Sequence, residues 1–168
     1  MNRYSRFALV LSIISATGFG AIYERVNGPD TAPAVINIDG AIAIFDNTAL
    51  PGVDIGIAGR IASAPLYLGG DLSLLFHAAD PSFVIMPILG TLYYQFEPYG
   101  AVHPLLGVLA GPVISTGGGF STVRMGVLMR PGMNIEIGRT AALNIEPRFG
   151  VLGDAFVFAP QVGATFAM

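Results

Sequence analysis

Charge and hydrophobicity alternate along this chain in the sense opposite to that of a soluble protein. Between positions 123 and 137, Val123, Met125, Val127, Met129, Pro131, Met133, Ile135 and Ile137 alternate with Arg124, Gly126, Leu128, Arg130, Gly132, Asn134 and Glu136. Successive side chains of a strand point to opposite faces, so the segment has one unbroken apolar face, while the other carries every charge. A soluble sandwich buries such a row against a second sheet. Here nearly every segment offers one, and little is left to cover them, so the apolar rows are read as facing lipid and the polar rows as lining a lumen.

Composition supports a membrane protein. The chain has 168 residues, 53% of them hydrophobic and 11% charged, with a mean hydropathy of +0.66, which is too apolar for an ordinary soluble domain of this size. Beyond the N-terminus, Gly, Pro and single charges interrupt every run before the roughly 18 to 20 apolar residues of a spanning helix are reached. A closed barrel is the other structure that satisfies its backbone in lipid. The formal charge of −3 and a pI near 5.1 give no footprint for nucleic acid. All 8 basic residues are Arg, whose planar fork suits desolvated carboxylates, and the absence of Cys excludes disulfides and thiolate chemistry.

Residues 1–20 read as a signal peptide, with Arg3 and Arg6 before an apolar run from Phe7 to Ala16 and small residues after it. Residues 21–33 read as a linker, rich in charges and turn formers. Residues 34–168 then divide into about eight strands of the length a tilted membrane strand needs: Ala34–Phe45, Gly52–Ala62, Leu66–His77, Phe83–Phe96, Tyr99–Pro112, Phe120–Gly138, Ala141–Leu152 and Phe156–Met168. In the second, Val53, Ile55, Ile57 and Ile61 face out while Asp54, Gly56, Ala58 and Arg60 face in. The first, third and seventh behave alike, with Asn37 and Asp39, Asp71 and Ser73, and Asn144, Glu146 and Arg148 inward. The fold class is therefore all-β, an antiparallel transmembrane up-and-down barrel. With both chain ends in the periplasm, Asp46–Pro51 and Val113–Gly119 are expected to be outer loops, longer than the turns Ser63–Pro65, Glu97–Pro98 and Arg139–Thr140. Pro87, Pro104, Pro131, Pro147 and Pro160 fall near mid-strand, where each removes a ladder donor, and bulges or local breaks are expected there.

The segment Pro98-Tyr99-Gly100 opening a Gly-rich apolar strand, and the closing run Phe158, Pro160, Val162, Ala164, Phe166 and Met168 on one face, resemble the small eight-stranded outer-membrane barrels of Gram-negative bacteria, the OmpA and OmpX type. That resemblance implies a location in the bacterial outer membrane, contact with membrane lipid and lipopolysaccharide, and a last strand read by the barrel-assembly machinery. The terminal Met stands where that family usually has Phe. Trp is absent, so Tyr94 and Phe96 at one end and Phe76, Phe120 and Phe156 near the other are the candidate interfacial girdles.

The interior of so small a barrel holds little beyond side chains. The inward set expected near mid-height is Asp39, Asp71, Arg130, Glu146 and Arg148, with Gln161. An ion path and a catalytic carboxylate cluster are possible uses. A balanced set of acids and Arg is better suited to an ion-pair plug, because an unpaired buried charge is costly. The small inward residues Ala41, Ala43, Gly56, Ala58, Gly126, Gly132 and Gly163 suggest room for water around that plug, hence a wet but constricted lumen. His77 is followed by Ala78 and Ala79, and His103 by Pro104 and Leu105, so neither fits the lipid A hydrolase pattern of a His two residues before a Ser. Gly117-Gly118-Gly119 lacks the Lys of a phosphate loop. No catalytic residue, cofactor or metal site is expected. The sequence reads as a monomeric, non-enzymatic barrel with a structural role or limited passage of small solutes. A lipid-modifying barrel enzyme and a soluble calycin-like carrier, whose apolar face would point inward, are the alternatives.

Overall fold

The computed structural model describes residues 34–46, 48–61, 64–80, 82–138 and 141–168; the signal-peptide and linker assignments lie outside them. Eight strands follow one another in chain order: β1 Ala34–Phe45, β2 Thr48–Arg60, β3 Leu66–Phe76, β4 Val84–Gln95, β5 Val102–Gly117, β6 Phe120–Glu136, β7 Ala141–Leu152 and β8 Ala155–Ala167. Each pairs antiparallel with the next, and β8 returns to β1, which closes the sheet into a barrel. The alternation sets the faces as the charges require. Asp39, Asp54, Asp71, Arg130, Glu146 and Arg148 are all buried inside, whereas Ile57, Leu68 and Val127 on the outside are 55%, 57% and 57% exposed. An apolar exterior of this extent is compatible with lipid and not with a soluble carrier. Phe76, Phe120 and Phe156 toward one end, and Tyr94 and Phe96 toward the other, are exposed as a girdle requires.

The start of β1, the end of β8 and the links β2–β3, β4–β5 and β6–β7 lie at one end of the barrel, the terminal end. The other four links form the hairpin end. The expected long outer loops are absent from it. The segment expected as the loop 113–119 is mostly strand: β-branched Val113, Ile114 and Thr116 favour extended backbone and pair with Arg124, Val123 and Ser121. Only Gly118 and Gly119 remain for the turn, both at positive φ (57° and 82°) as the twist of a two-residue hairpin demands. Likewise β2 begins at Thr48, with Pro51 opposite Ile42, and Asp46 takes a φ of 48° in the tight turn before it.

Of the mid-strand prolines, Pro87, Pro131, Pro147 and Pro160 lie at breaks, without bulges. Each strand pair keeps one register throughout, but the ladder skips positions in four seams. These lie between Met129↔Phe149 and Met133↔Ile145, Leu72↔Ile88 and Leu75↔Ile85, Pro87↔Val113 and Gly90↔Ala110, and Ala41↔Gln161 and Ile44↔Phe158. Every gap holds a proline: Pro131 with Pro147, then Pro87, Pro112 and Pro160 respectively. A strand residue directs its N–H at one neighbour only, so a proline interrupts at most one seam; Pro104, where a break was also expected, causes none, because it stands opposite Met133 in an unbroken β5–β6 ladder and past the last β4–β5 pair, Gln95↔Leu105. Pro131 and Pro147 share one break, between β6 and β7.

Candidate functional site

The lumen is layered. Toward the hairpin end the inward positions of all strands but β6 and β3 are dominated by aliphatic side chains close to the turns, and those two contribute Leu128 and Leu75. Together Leu50, Leu75, Ile85, Leu89, Leu109, Val113, Leu128, Leu152 and Val157 form a buried apolar cluster with Ala41, Ala43 and Ala159. The lumen is thus not polar along its whole length, as the charged strands alone suggested. β4 and β5 supply much of this layer, and their sequences are apolar on both faces.

Beneath it lies the charged layer. Arg148, 1% exposed, donates Nη1 to Asp54 Oδ2 and Nη2 to Asp54 Oδ1, each at 3.1 Å. The same Nη2 reaches Asp71 Oδ1 at 2.8 Å and Glu146 Oε2 at 3.3 Å. Arg130 donates Nη2 to Glu146 Oε1 at 2.5 Å and Nη1 to the Thr91 hydroxyl at 3.1 Å, and lies 3.7 Å from Asp71 Oδ2. The Arg130–Glu146 bridge spans the β6–β7 seam where Pro131 and Pro147 remove the backbone ladder. Arg130 also sits 4.7 Å above the Tyr93 ring, which stacks on Tyr67 at 4.9 Å; a guanidinium over an aromatic face is favourable in a desolvated site.

Asp71, Arg130, Glu146 and Arg148 therefore meet in one network. Asp39 lies beside it and takes its hydrogen bonds from Asn144 Nδ2, at 3.1 and 3.3 Å, with no cation within ion-pair distance among the described residues. Asp54, read from the sequence as inward but left out of the expected set, is the bidentate partner of Arg148 and also accepts from the Ser73 hydroxyl. Thr91, Tyr93 and Asn144 were missed as partners. Gln161 is buried opposite Glu146, and its Oε1 has no hydrogen-bond partner. Four carboxylates, Asp39, Asp54, Asp71 and Glu146, face two guanidiniums, so the layer is less balanced than the sequence suggested.

The inward glycines do not leave room for water. A Cβ on Gly56 would lie 2.8 Å from Asp71 Oδ1, one on Gly126 2.6 Å from Leu152 Cδ2, and one on Gly132 2.8 Å from Glu146 Cγ. At Gly163 the space is taken by the Ile38 carbonyl oxygen and the Asp39 carboxylate. At each of these positions a neighbouring atom already occupies the space that a side chain would take.

Toward the terminal end polar groups are mixed with a second buried apolar cluster, Val35, Ala58, Tyr67, Tyr93 and Leu105. The Thr165 hydroxyl bridges Asn37 Oδ1 and Asn134 Oδ1, at 2.8 and 3.1 Å, and His103 Nε2 meets Glu136 Oε1 at 3.1 Å. At the hairpin end His77 Nδ1 accepts from the Asp80 amide at 3.0 Å. A cup of about 430 Å³ opens there, with Phe45, Leu50, Phe83 and Ile85 below and Thr48, His77 and Asp80 around it. Ser82 donates both its amide (3.0 Å) and its hydroxyl (2.6 Å) to Asp80 Oδ1, and these bonds hold the Asp80 carboxyl below its ordinary range. Among the described residues no group of His, Asp or Glu is arranged to hold a metal ion.

No family model matches the chain, and no curated protein matches it in sequence. Solved structures do resemble it. Neisserial surface protein A is 16% identical with a TM-score of 0.64, over 80% of this chain and 96% of that one. Ail, the attachment invasion locus protein of Yersinia pestis, solved with the heparin analogue sucrose octasulfate, is 13% identical with a TM-score of 0.52, over 80% and 96%. The N-terminal β-barrel domain of Pseudomonas aeruginosa OprF is 10% identical with a TM-score of 0.52, over 80% and 97%. The closed strand order, the inverted distribution of polarity and these likenesses agree: the chain has the fold of the small eight-stranded outer-membrane β-barrels.

Proposed function

We propose that this chain is a non-enzymatic, monomeric barrel of the bacterial outer membrane whose lumen is closed and whose role is structural, exercised through its outer surfaces. The observation that carries the reading is the apolar layer, Leu50 to Val157, stacked on the Arg130–Arg148 network. A hydrated ion or sugar would have to shed its water in the first layer and break charge-assisted bonds in the second. This favours the structural half of the sequence reading over solute passage. The exposed aliphatic belt is suited to membrane lipid and the acyl chains of lipopolysaccharide, and the exposed Phe158, Pro160, Val162 and Met168 to recognition by the assembly machinery, with Phe166 of the same run buried. Against an enzyme stand the histidines, whose ring partners are Glu136 and the Asp80 amide and not a nucleophile.

Liposome swelling tests the reading. Vesicles carrying refolded protein are expected to swell in small sugars no faster than empty vesicles. Uptake that rises with protein and falls with sugar size would restore the passage role.

A further inference from the structure

The cup at the hairpin end is the mouth of the lumen and not a groove in the lipid face. Phe45 continues the inward row of Asp39 and Ala41, Leu50 and Thr48 that of Asp54, His77 that of Asp71 and Ser73, and Ile85 and Phe83 that of Leu89. Side chains of one parity share one face. The cup therefore opens to water beyond the end of the barrel, and membrane lipid does not reach it from the side. Leu50 and Ile85 at its base belong to the buried apolar layer, and Phe45 and Phe83 pack against that layer. A concave floor of two aromatic rings and two aliphatic side chains, in a volume of about 430 Å³, is of the size that takes a small organic molecule.

The rim decides which polar group that molecule carries. His77 Nδ1 accepts from the Asp80 amide at 3.0 Å, so the neutral ring has its proton on Nε2, and the ring stands edge-on to Phe83 with centroids 6.0 Å apart. Asp80 Oδ1 takes both Ser82 bonds, which leaves Oδ2 with no donor among the described residues. The same two bonds favour the ionised carboxylate. Among the described residues the charges at the hairpin end are Asp46, Asp80, Asp154 and Arg124, and Arg124 is paired with Asp154. The two remaining acids give this mouth a negative potential that repels anions and draws cations. No group of His, Asp or Glu among the described residues is arranged for a metal ion. A single open carboxylate oxygen beside aromatic rings suits an ammonium group carried on an apolar body.

We propose that the cup binds a small arylalkyl amine from the aqueous phase, its ring against Phe45 and Phe83 and its ammonium donating to Asp80 Oδ2. The ligand is held at the mouth, above the apolar layer. The proposal adds a ligand class to the structural role argued above. The two fail separately, because occupancy of the cup is read from ligand-induced shifts and closure of the lumen from solute uptake.

The test titrates phenethylamine into the barrel in lipid nanodiscs, beside phenethyl alcohol and phenylacetate, with empty nanodiscs correcting for partition into lipid and methyl NMR of Leu50 and Ile85 mapping the site. The amine should shift both methyl signals saturably and bind about tenfold more tightly than the alcohol, and phenylacetate should not bind. Asp80→Asn keeps an oxygen for both Ser82 bonds and should bring the amine down to the level of the alcohol, with the alcohol itself unchanged. Thr48→Phe fills the cup from its rim without touching the acid and should abolish binding of both. The comparison of the three probes needs no variant. Absence of saturable shifts with the amine overturns the proposal, as does an alcohol or an acid that binds as tightly. Amine affinity unchanged in Asp80→Asn, or shifts that persist in Thr48→Phe, would place the amine elsewhere and overturn it too.

Discussion

Removing Arg148 should cost more stability than removing Arg130, although both are buried guanidiniums on adjacent strands. In Arg148→Met the volume is largely kept and the charge lost. Asp54 loses both of its bonds at 3.1 Å and keeps only the Ser73 hydroxyl, whereas Glu146 retains Arg130 at 2.5 Å. One carboxylate is stranded in a desolvated layer, a loss of about 3–5 kcal/mol. In Arg130→Met no carboxylate is stranded, because Asp71 and Glu146 keep Arg148 at 2.8 and 3.3 Å. The loss there is that of a charge-assisted bond or two, about 2–3 kcal/mol. Adding Asp54→Asn to Arg148→Met removes the stranded charge and should recover about 1–3 kcal/mol. The chain contains no Trp, so equilibrium urea unfolding is followed by far-UV circular dichroism, with stability from linear extrapolation. Equal losses for the two Arg variants, or a further loss on adding Asp54→Asn, would refute the assignment of Arg148 as the hub.

Ile57→Arg, on the lipid face, should destabilise the barrel by about 2–4 kcal/mol in vesicles if Ile57 lies near the bilayer midplane; an indifferent urea midpoint would mean that the face does not meet lipid. Gly126→Leu drives new atoms into the place held by Leu152 and Val113 and should cost about 1–3 kcal/mol through overpacking, measured in the same way; a neutral outcome would reveal free lumen volume. Ser82→Ala removes one of the two bonds that depress the Asp80 carboxyl. The order those bonds give the β3–β4 link is present above the ordinary carboxylate range and lost as pH falls through the depressed value, so the variant should lose it at a higher pH. An NMR titration of Asp80 unchanged by the substitution would contradict this.

Much of the barrel was legible because single charges mark a face. Asp54 and Arg60 in β2, or Glu146 and Arg148 in β7, fix the parity of their strands, and their neighbours follow with period two. β4 and β5 carry no such marker. With Ile85 and Leu89 inward and Ile88 and Leu92 outward, both faces are apolar, and nothing in the pattern announces that the hairpin half of the lumen is filled with aliphatic side chains. The inward glycines misled for a related reason: a missing side chain reads as empty space until the neighbour that lies across it is known, as Asp71 lies across Gly56. Ion-pair partners depend on stagger between strands that are distant in sequence. Arg148 and Asp54 could be placed on one face by parity, but their shared height comes only from the closed registers.

In the proposed reading two stacked layers, apolar over charged, close the lumen. Single-channel recording of the refolded protein in a planar bilayer tests it most directly. No steady conductance above that of the bare membrane is expected across the voltage range. A stable, ohmic, open-channel current from the unmodified protein would contradict it.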